Sequence, residues 1–257
     1  MSQSKTAASL LAVAALSIAA PVASAQTVLE QAAEHRFQID FRVNDAALAT
    51  LLPAGWETAI AAQGPAKDAN LRMIFIDRMA IVGRDGKPAA RPTARLVYLA
   101  IPVKNASGAT GQMIVHGLTE HAADAPGAFG VYQHATTAKM SRTATAAGGV
   151  MTGSEDWEFA AASGERMEAH VEYERGPATR GGAEVKFFDP RDPSQHQVFK
   201  TEQAIDIMRN ATTHPPDHVK KFSYKAGGGK IAALFDGTER VLSWDSFPWY
   251  IRTVSAP

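Results

Sequence analysis

The feature that most constrains this chain is its punctuation: from residue 71 onward, short apolar runs alternate with glycine-bearing turns. The runs occupy 71–82, 95–103, 111–118, 157–159, 166–173, 183–188, 231–235 and 240–244. Gly-Arg-Asp-Gly at 83–86, Asn-Ala-Ser-Gly at 105–108, Gly181-Gly182 and Gly227-Gly228-Gly229 separate them, and such clusters favour turns. Many short strands with tight connections predict a mainly antiparallel β domain of the α+β class.

Few helices are expected. Residues 26–36 read as a mobile or helical lead-in, and 37–42 alternates apolar and polar residues like a half-buried strand. Asn44 or Asp45 then suits a helix N-cap, 46–52 carries the helical run, and Pro53-Ala54-Gly55 ends it. The strongest helical pattern is 201–210, where Ala204, Ile205 and Met208 form an apolar stripe. Residues 246–252 pack Phe247, Trp249, Tyr250 and Ile251 into what reads as a final strand closing the core.

The first 25 residues predict export. Lys5 supplies a positive start, 10–20 an apolar stretch, and Ala23-Ser24-Ala25 an A-x-A site before Gln26. The stretch falls short of the roughly 20 residues that span a bilayer. Residues 26–257 are therefore expected as a single soluble domain, periplasmic or secreted. With 26 Lys+Arg against 26 Asp+Glu, nothing suggests a nucleic-acid or membrane partner. The absence of cysteine excludes thiolate zinc sites, cysteine nucleophiles and disulfides. A homo-oligomer is compatible with the sequence.

Three segments carry a resemblance. Residues 36–57 (RFQIDFRVNDAALATLLPAGWE), Ala-Ile-Pro-Val at 100–103, and 127–135 (GAFGVYQHA) follow one another in the order found in the acetoacetate decarboxylase-like superfamily. The resemblance implies an acetoacetate decarboxylase-like β-barrel with a few flanking helices. It also implies a pocket arginine, which falls on Arg42 and suits a carboxylate or carbonyl oxygen. Family decarboxylases use a lysine pair, one member of which forms a Schiff base with a keto substrate. The corresponding turn here, 130–134, holds no lysine, Lys139 lies downstream without a lysine neighbour, and a family glutamate position falls near Leu96.

His134 with Tyr132 and Gln133 stands where that lysine pair would be, and imidazole is an acid or base near neutral pH. His116 and Glu120, four apart, share a face of a helix or strand and are further catalytic candidates, with His121 beside them. Arg42, Tyr132 and Gln133 are the expected ligand-binding residues, and Arg42 and His134 should face each other across the interior. Neither a metal nor a cofactor is expected. Glu168, His170, Glu172 and Glu174 alternate along one strand face and read as a solvated sheet surface. Two functions follow. One is acid–base lyase chemistry on a small oxo acid or ketone without an imine, and the other is non-catalytic binding of a small, partly apolar anion.

Overall fold

A computed structural model describes residues 26–122, 129–207 and 218–257. The export segment 1–25 lies outside the described residues. In chain order the elements are β1 (Thr27–Arg42), α1 (Asp45–Ala49), β2 (Trp56–Thr58), β3 (Leu71–Gly83), β4 (Ala94–Asn105) and β5 (Thr110–Thr119). There follow β6 (Tyr132–Ala147), β7 (Val150–Ala161), β8 (Arg166–Arg175), β9 (Thr179–Phe188) and β10 (His196–Ile207). The chain ends with β11 (Val219–Gly227), a 3-10 helix (Gly229–Leu234) and β12 (Arg240–Ala256). The mainly β class expected from the punctuation is what the structure has.

The strands form one sheet in the order β11-β8-β7-β6-β5-β9-β10-β12-β1-β3-β4-β2, and β5 also pairs with β4. The pairings therefore return on themselves through β5, β9, β10, β12, β1, β3 and β4. Most are antiparallel, but β5 runs parallel to β6 and to β9, and the β5–β9 contact is the single pair Gln112↔Phe187. Of the five remaining strands, β2 pairs with β4, and β6, β7, β8 and β11 extend from β5 as an arm whose own pairings are antiparallel.

β1 is buried on both faces, one by closure of the cycle and the other by the arm. Phe37, Ile39 and Phe41 point to one core, shared with Phe75, Trp157, Phe159 and Val171, where the strand cycle packs against the arm. A second core, of Ile74, Ile76, Tyr98, Ile114, Phe187 and Phe199, gathers inside the cycle. Each fully buried side chain of this size contributes about 1.5–3 kcal/mol.

Three local expectations change. The lead-in 26–36 is neither mobile nor helical, because its residues pair with β12 from Thr27↔Ala256 and with β3 from Glu30↔Gly83. The helix expected at 201–210 is the strand β10 as far as Ile207, and 208–217, with Met208, lies outside the described residues. Two ladders explain this: β10 bonds β9 on one side and β12 on the other, which outweighs a weak helical stripe. The run 231–235 falls mostly in the 3-10 helix. By contrast, α1 begins where expected, Asn44 Oδ1 accepting from the backbone N–H of Ala46 at 2.8 Å.

Candidate functional site

The side chains inside the strand cycle form a charged layer. Glu34 is fully buried, and both of its oxygens are held by guanidiniums: Arg36 Nε donates to Oε2 at 2.7 Å, and Arg252 Nη2 lies 2.7 Å from Oε1. Arg78 approaches the same carboxylate with Nε 3.5 Å from Oε1 and also pairs with Glu30. Arg36, Arg78 and Arg252 are themselves buried. Three guanidiniums thus face two carboxylates, and these five side chains carry a net charge of +1.

The electrostatics are set by burial and by these pairs. Burial alone would raise the Glu34 carboxyl, but the guanidiniums of Arg252, Arg36 and Arg78 outweigh it and hold the group below the ordinary carboxylate range. Burial also pushes up the hydroxyls of Tyr132 and Tyr98, so both stay protonated at neutral pH. Their rings meet edge to face with centroids 6.4 Å apart. Arg36 stacks over the Tyr250 ring at 3.7 Å, and Arg252 lies over Phe199 at 5.0 Å.

Beside this layer lies a cavity of about 230 Å3, lined among others by Arg36, Gln38, Arg72, Tyr98, Gln112 and Tyr250. Every strand of the cycle contributes to its wall. Gln112 Oε1 is buried there without a hydrogen-bond partner, and Arg252 Nε is likewise unpartnered in the charged layer. Arg72 pairs with buried Asp40 at 3.3 Å, and Asp40 also accepts from Ser243 Oγ at 2.7 Å. The chamber wall therefore offers the guanidiniums of Arg36 and Arg72, the protonated phenol of Tyr98 and the carboxamides of Gln38 and Gln112, groups that can hold a small carboxylate and donate to its oxygens, with Asp245 as a carboxylate in the same wall.

No protein-family model matches the sequence, and no curated protein sequence matches it either. Solved structures do match. The enduracididine biosynthesis enzyme MppR complexed with pyruvate superposes with a TM-score of 0.53 at 13% identity, covering 93% of this chain and 91% of that chain. The same enzyme, complexed with the condensation product of pyruvate and imidazole 4-carboxaldehyde, gives 0.54 at 15% identity over 88% and 87%. An acetoacetate decarboxylase-like enzyme from Sphingomonas wittichii RW1 gives 0.50 at 14% identity over 95% and 98%. The chain has the acetoacetate decarboxylase-like fold.

Within that fold the six residues singled out from sequence scatter. Tyr132 reaches the interior: it opens β6, is buried, and lies against Gly117 of β5, where an added Cβ would stand 2.6 Å from its ring. Gln133 points elsewhere and accepts from Ser163 Oγ at 2.8 Å. His134 is exposed, with Nδ1 3.0 Å from the Glu120 carbonyl. The Glu120 carboxylate pairs with Arg95 at 2.8 Å rather than with His116. His116 is buried among other groups, its imidazole pushed down by burial and influenced by Glu165 and Lys230, with Nε2 unpartnered. Arg42 pairs with Asp45 at the start of α1, partly exposed. The expected meeting of Arg42 with His134 is thus not what the structure has, because each is held by its own local partner at the rim.

The residues that do converge, Glu34, Arg36, Arg78, Arg252 and Tyr98, escaped the sequence reading. Their signal was the alternation Glu34-Arg36-Gln38-Asp40 on β1, which looks like a solvent-facing edge unless the sheet closes. Among the described residues no three His, Asp or Glu side chains cluster so as to hold a metal ion, and no helix is long and apolar enough to cross a membrane. An open trough of about 710 Å3 on the arm is lined by Asp156, His170, Glu158, Glu168, Lys139 and Lys225. These pair with one another, His170 with Asp156 at 2.6 Å and Lys225 with Glu168 at 3.5 Å, so the polar row is a self-neutralised sheet face.

Proposed function

We propose that the interior cavity binds a small carboxylate-bearing ligand such as an oxo acid, with no imine formed. The carrying observation is the charge imbalance: three buried guanidiniums against two carboxylates, beside a cavity that Arg36 itself lines. A buried uncompensated charge is costly, so an anion is the natural complement. At about 230 Å3 the chamber is smaller than the roughly 300–1,000 Å3 that drug-sized ligands occupy. The pyruvate bound by the similarly folded MppR is a ligand of that class.

Imine chemistry lacks its amine. Every lysine among the described residues is exposed, Lys139 included, and outside them the sequence has only Lys5, in the expected export segment. Glu34 stays ionised and Tyr98 and Tyr132 stay protonated, so the charged layer suits binding better than proton shuttling near neutral pH. A second reading, acid–base lyase chemistry on an oxo acid, rests on the protonated phenol of Tyr98 in the cavity wall, which can polarise a carbonyl. Calorimetric titration with pyruvate and acetoacetate tests the binding. Arg36→Lys keeps the charge beside Glu34 but removes the planar fork, and should weaken binding at least tenfold. Borohydride with either ligand should leave no adduct. An adduct on any lysine, or an Arg36→Lys variant that binds as well as the original chain, overturns the reading.

A further inference from the structure

The interior continues past the charged layer. Beyond it lies a second cavity of about 250 Å3, walled by Ile81, Ala89, Ala94 and Leu96, with the buried Arg78 guanidinium in its lining. The two cavities occupy successive stretches of the same strands. On β1, β3 and β4 the first takes Arg36, Ile74 and Tyr98, and the second takes Glu30, Arg78 and Leu96. Glu34, with its three guanidiniums, stands between them.

The lining of the second cavity is amphiphilic. It sets aliphatic and alanine side chains beside Arg78, Arg91 and His121, and Arg78 is ion-paired with Glu30 and Glu34. A carboxylate can take a guanidinium fork bidentately, which neither glutamate does here. Glu30 is partly exposed and is therefore the partner most easily exchanged.

We propose that this second cavity is a binding site for a short-chain alkyl carboxylate, and that its occupation weakens carboxylate binding in the first cavity. The coupling rests on the reading given above for the first cavity, and its sign follows from charge. The layer of Glu30, Glu34, Arg36, Arg78 and Arg252 carries one excess positive charge, and two anions flanking it share that excess and repel one another. Glu34 transmits the change geometrically as well. An anion that draws Arg78 away leaves Glu34 to Arg36 and Arg252, whose donors are then less free for a ligand in the first cavity. Linkage makes the effect reciprocal.

Butyrate and pyruvate are the probes, and calorimetry of the full chain is the measurement. Saturating butyrate should weaken pyruvate binding by about 5- to 20-fold and then reach a plateau, as coupling between two sites requires. Ala94→Phe, which places a ring in the second cavity and touches none of the first cavity's lining, should abolish both butyrate binding and the plateau. Its pyruvate affinity should stay within twofold. Ala89→Leu serves the same purpose if the larger ring disturbs folding, as a thermal melt would reveal. Arg36→Lys should lose pyruvate affinity while still binding butyrate. Pyruvate inhibition that grows without limit as butyrate rises, or butyrate binding indifferent to both alanine substitutions, overturns the proposal in favour of one shared site. If pyruvate fails to bind but butyrate binds and Ala94→Phe abolishes it, the first-cavity reading fails while the second site stands.

Discussion

Glu34 is the residue on which the interior depends. It accepts from Arg36 and contacts Arg252 and Arg78, so its removal leaves Arg78 and Arg252 with Glu30 alone and takes from Arg36 the carboxylate it donates to. Glu34→Gln preserves the shape and should cost about 3–5 kcal/mol in urea denaturation, the range for breaking a buried pair on one side. Its pH dependence follows from the depressed carboxyl. The stabilisation is complete above the unfolded value of about 4.3 and is lost as pH falls from there through the lower folded value. The original chain should therefore lose stability steeply below about pH 4.3, and Glu34→Gln should show a flatter profile in that window. Equal slopes for the two proteins would mean that Glu34 is not ionised in the folded state.

Among the elements, the arm is held to the strand cycle by a buried polar contact as well as by apolar packing. His35 of β1 donates from Nε2 to Glu155 of β7 at 2.8 Å, and Glu155 also accepts from Trp157 Nε1 at 3.1 Å and from Tyr173 at 3.4 Å. The His35 and Trp157 rings lie nearly parallel, 6.3 Å apart. Glu155→Leu strands three donors and should destabilise by about 3–5 kcal/mol, whereas His35→Phe, which keeps the stacking surface, should cost less. Urea midpoints in the opposite order would show that the contact is held by ring packing rather than by the carboxylate. Element identity was well marked in the sequence where apolar runs stood between turn signals, as in β3, β4 and β5, and where polar and apolar residues alternated, as in β8. It failed at β10, whose interior-facing Phe199, Thr201, Gln203 and Ile205 mix polar with apolar residues and so hide the period of two. The candidate site failed for a related reason. Alternation divides β1 into two faces without saying which one turns inward, and here the charged face turns into the cycle while the apolar face is covered by the arm. Arg42, three alternations beyond Arg36, ends at the rim with Asp45.

The molecule as a whole depends on the seam at which the pairings close. Only Gln112↔Phe187 joins β5 to β9, and these two residues also line the first cavity, so the seam is both the weakest pairing of the cycle and part of the chamber wall. Gly111 makes the approach possible: a Cβ there would stand 2.4 Å from the Lys186 carbonyl oxygen and 2.8 Å from the Phe188 ring. The first obstacle is backbone and cannot rotate aside. Gly111→Val must therefore push β5 and β9 apart, at a cost of about 1–3 kcal/mol or more for overpacking. The cavity wall moves with the strands, so pyruvate affinity should fall together with the melting temperature. Gly181 provides the control. It lies in the same β9, paired with Gln203 of β10, and a Cβ there meets nothing within 4 Å. Gly181→Val should be neutral or slightly stabilising, because a β-branched residue suits a strand better than glycine. The comparison separates closure from a general intolerance of β9 to substitution. If both variants melt and bind like the original chain, the seam does not shape the chamber; if both fail alike, β9 itself is fragile and the single pair at 112 and 187 carries no special role.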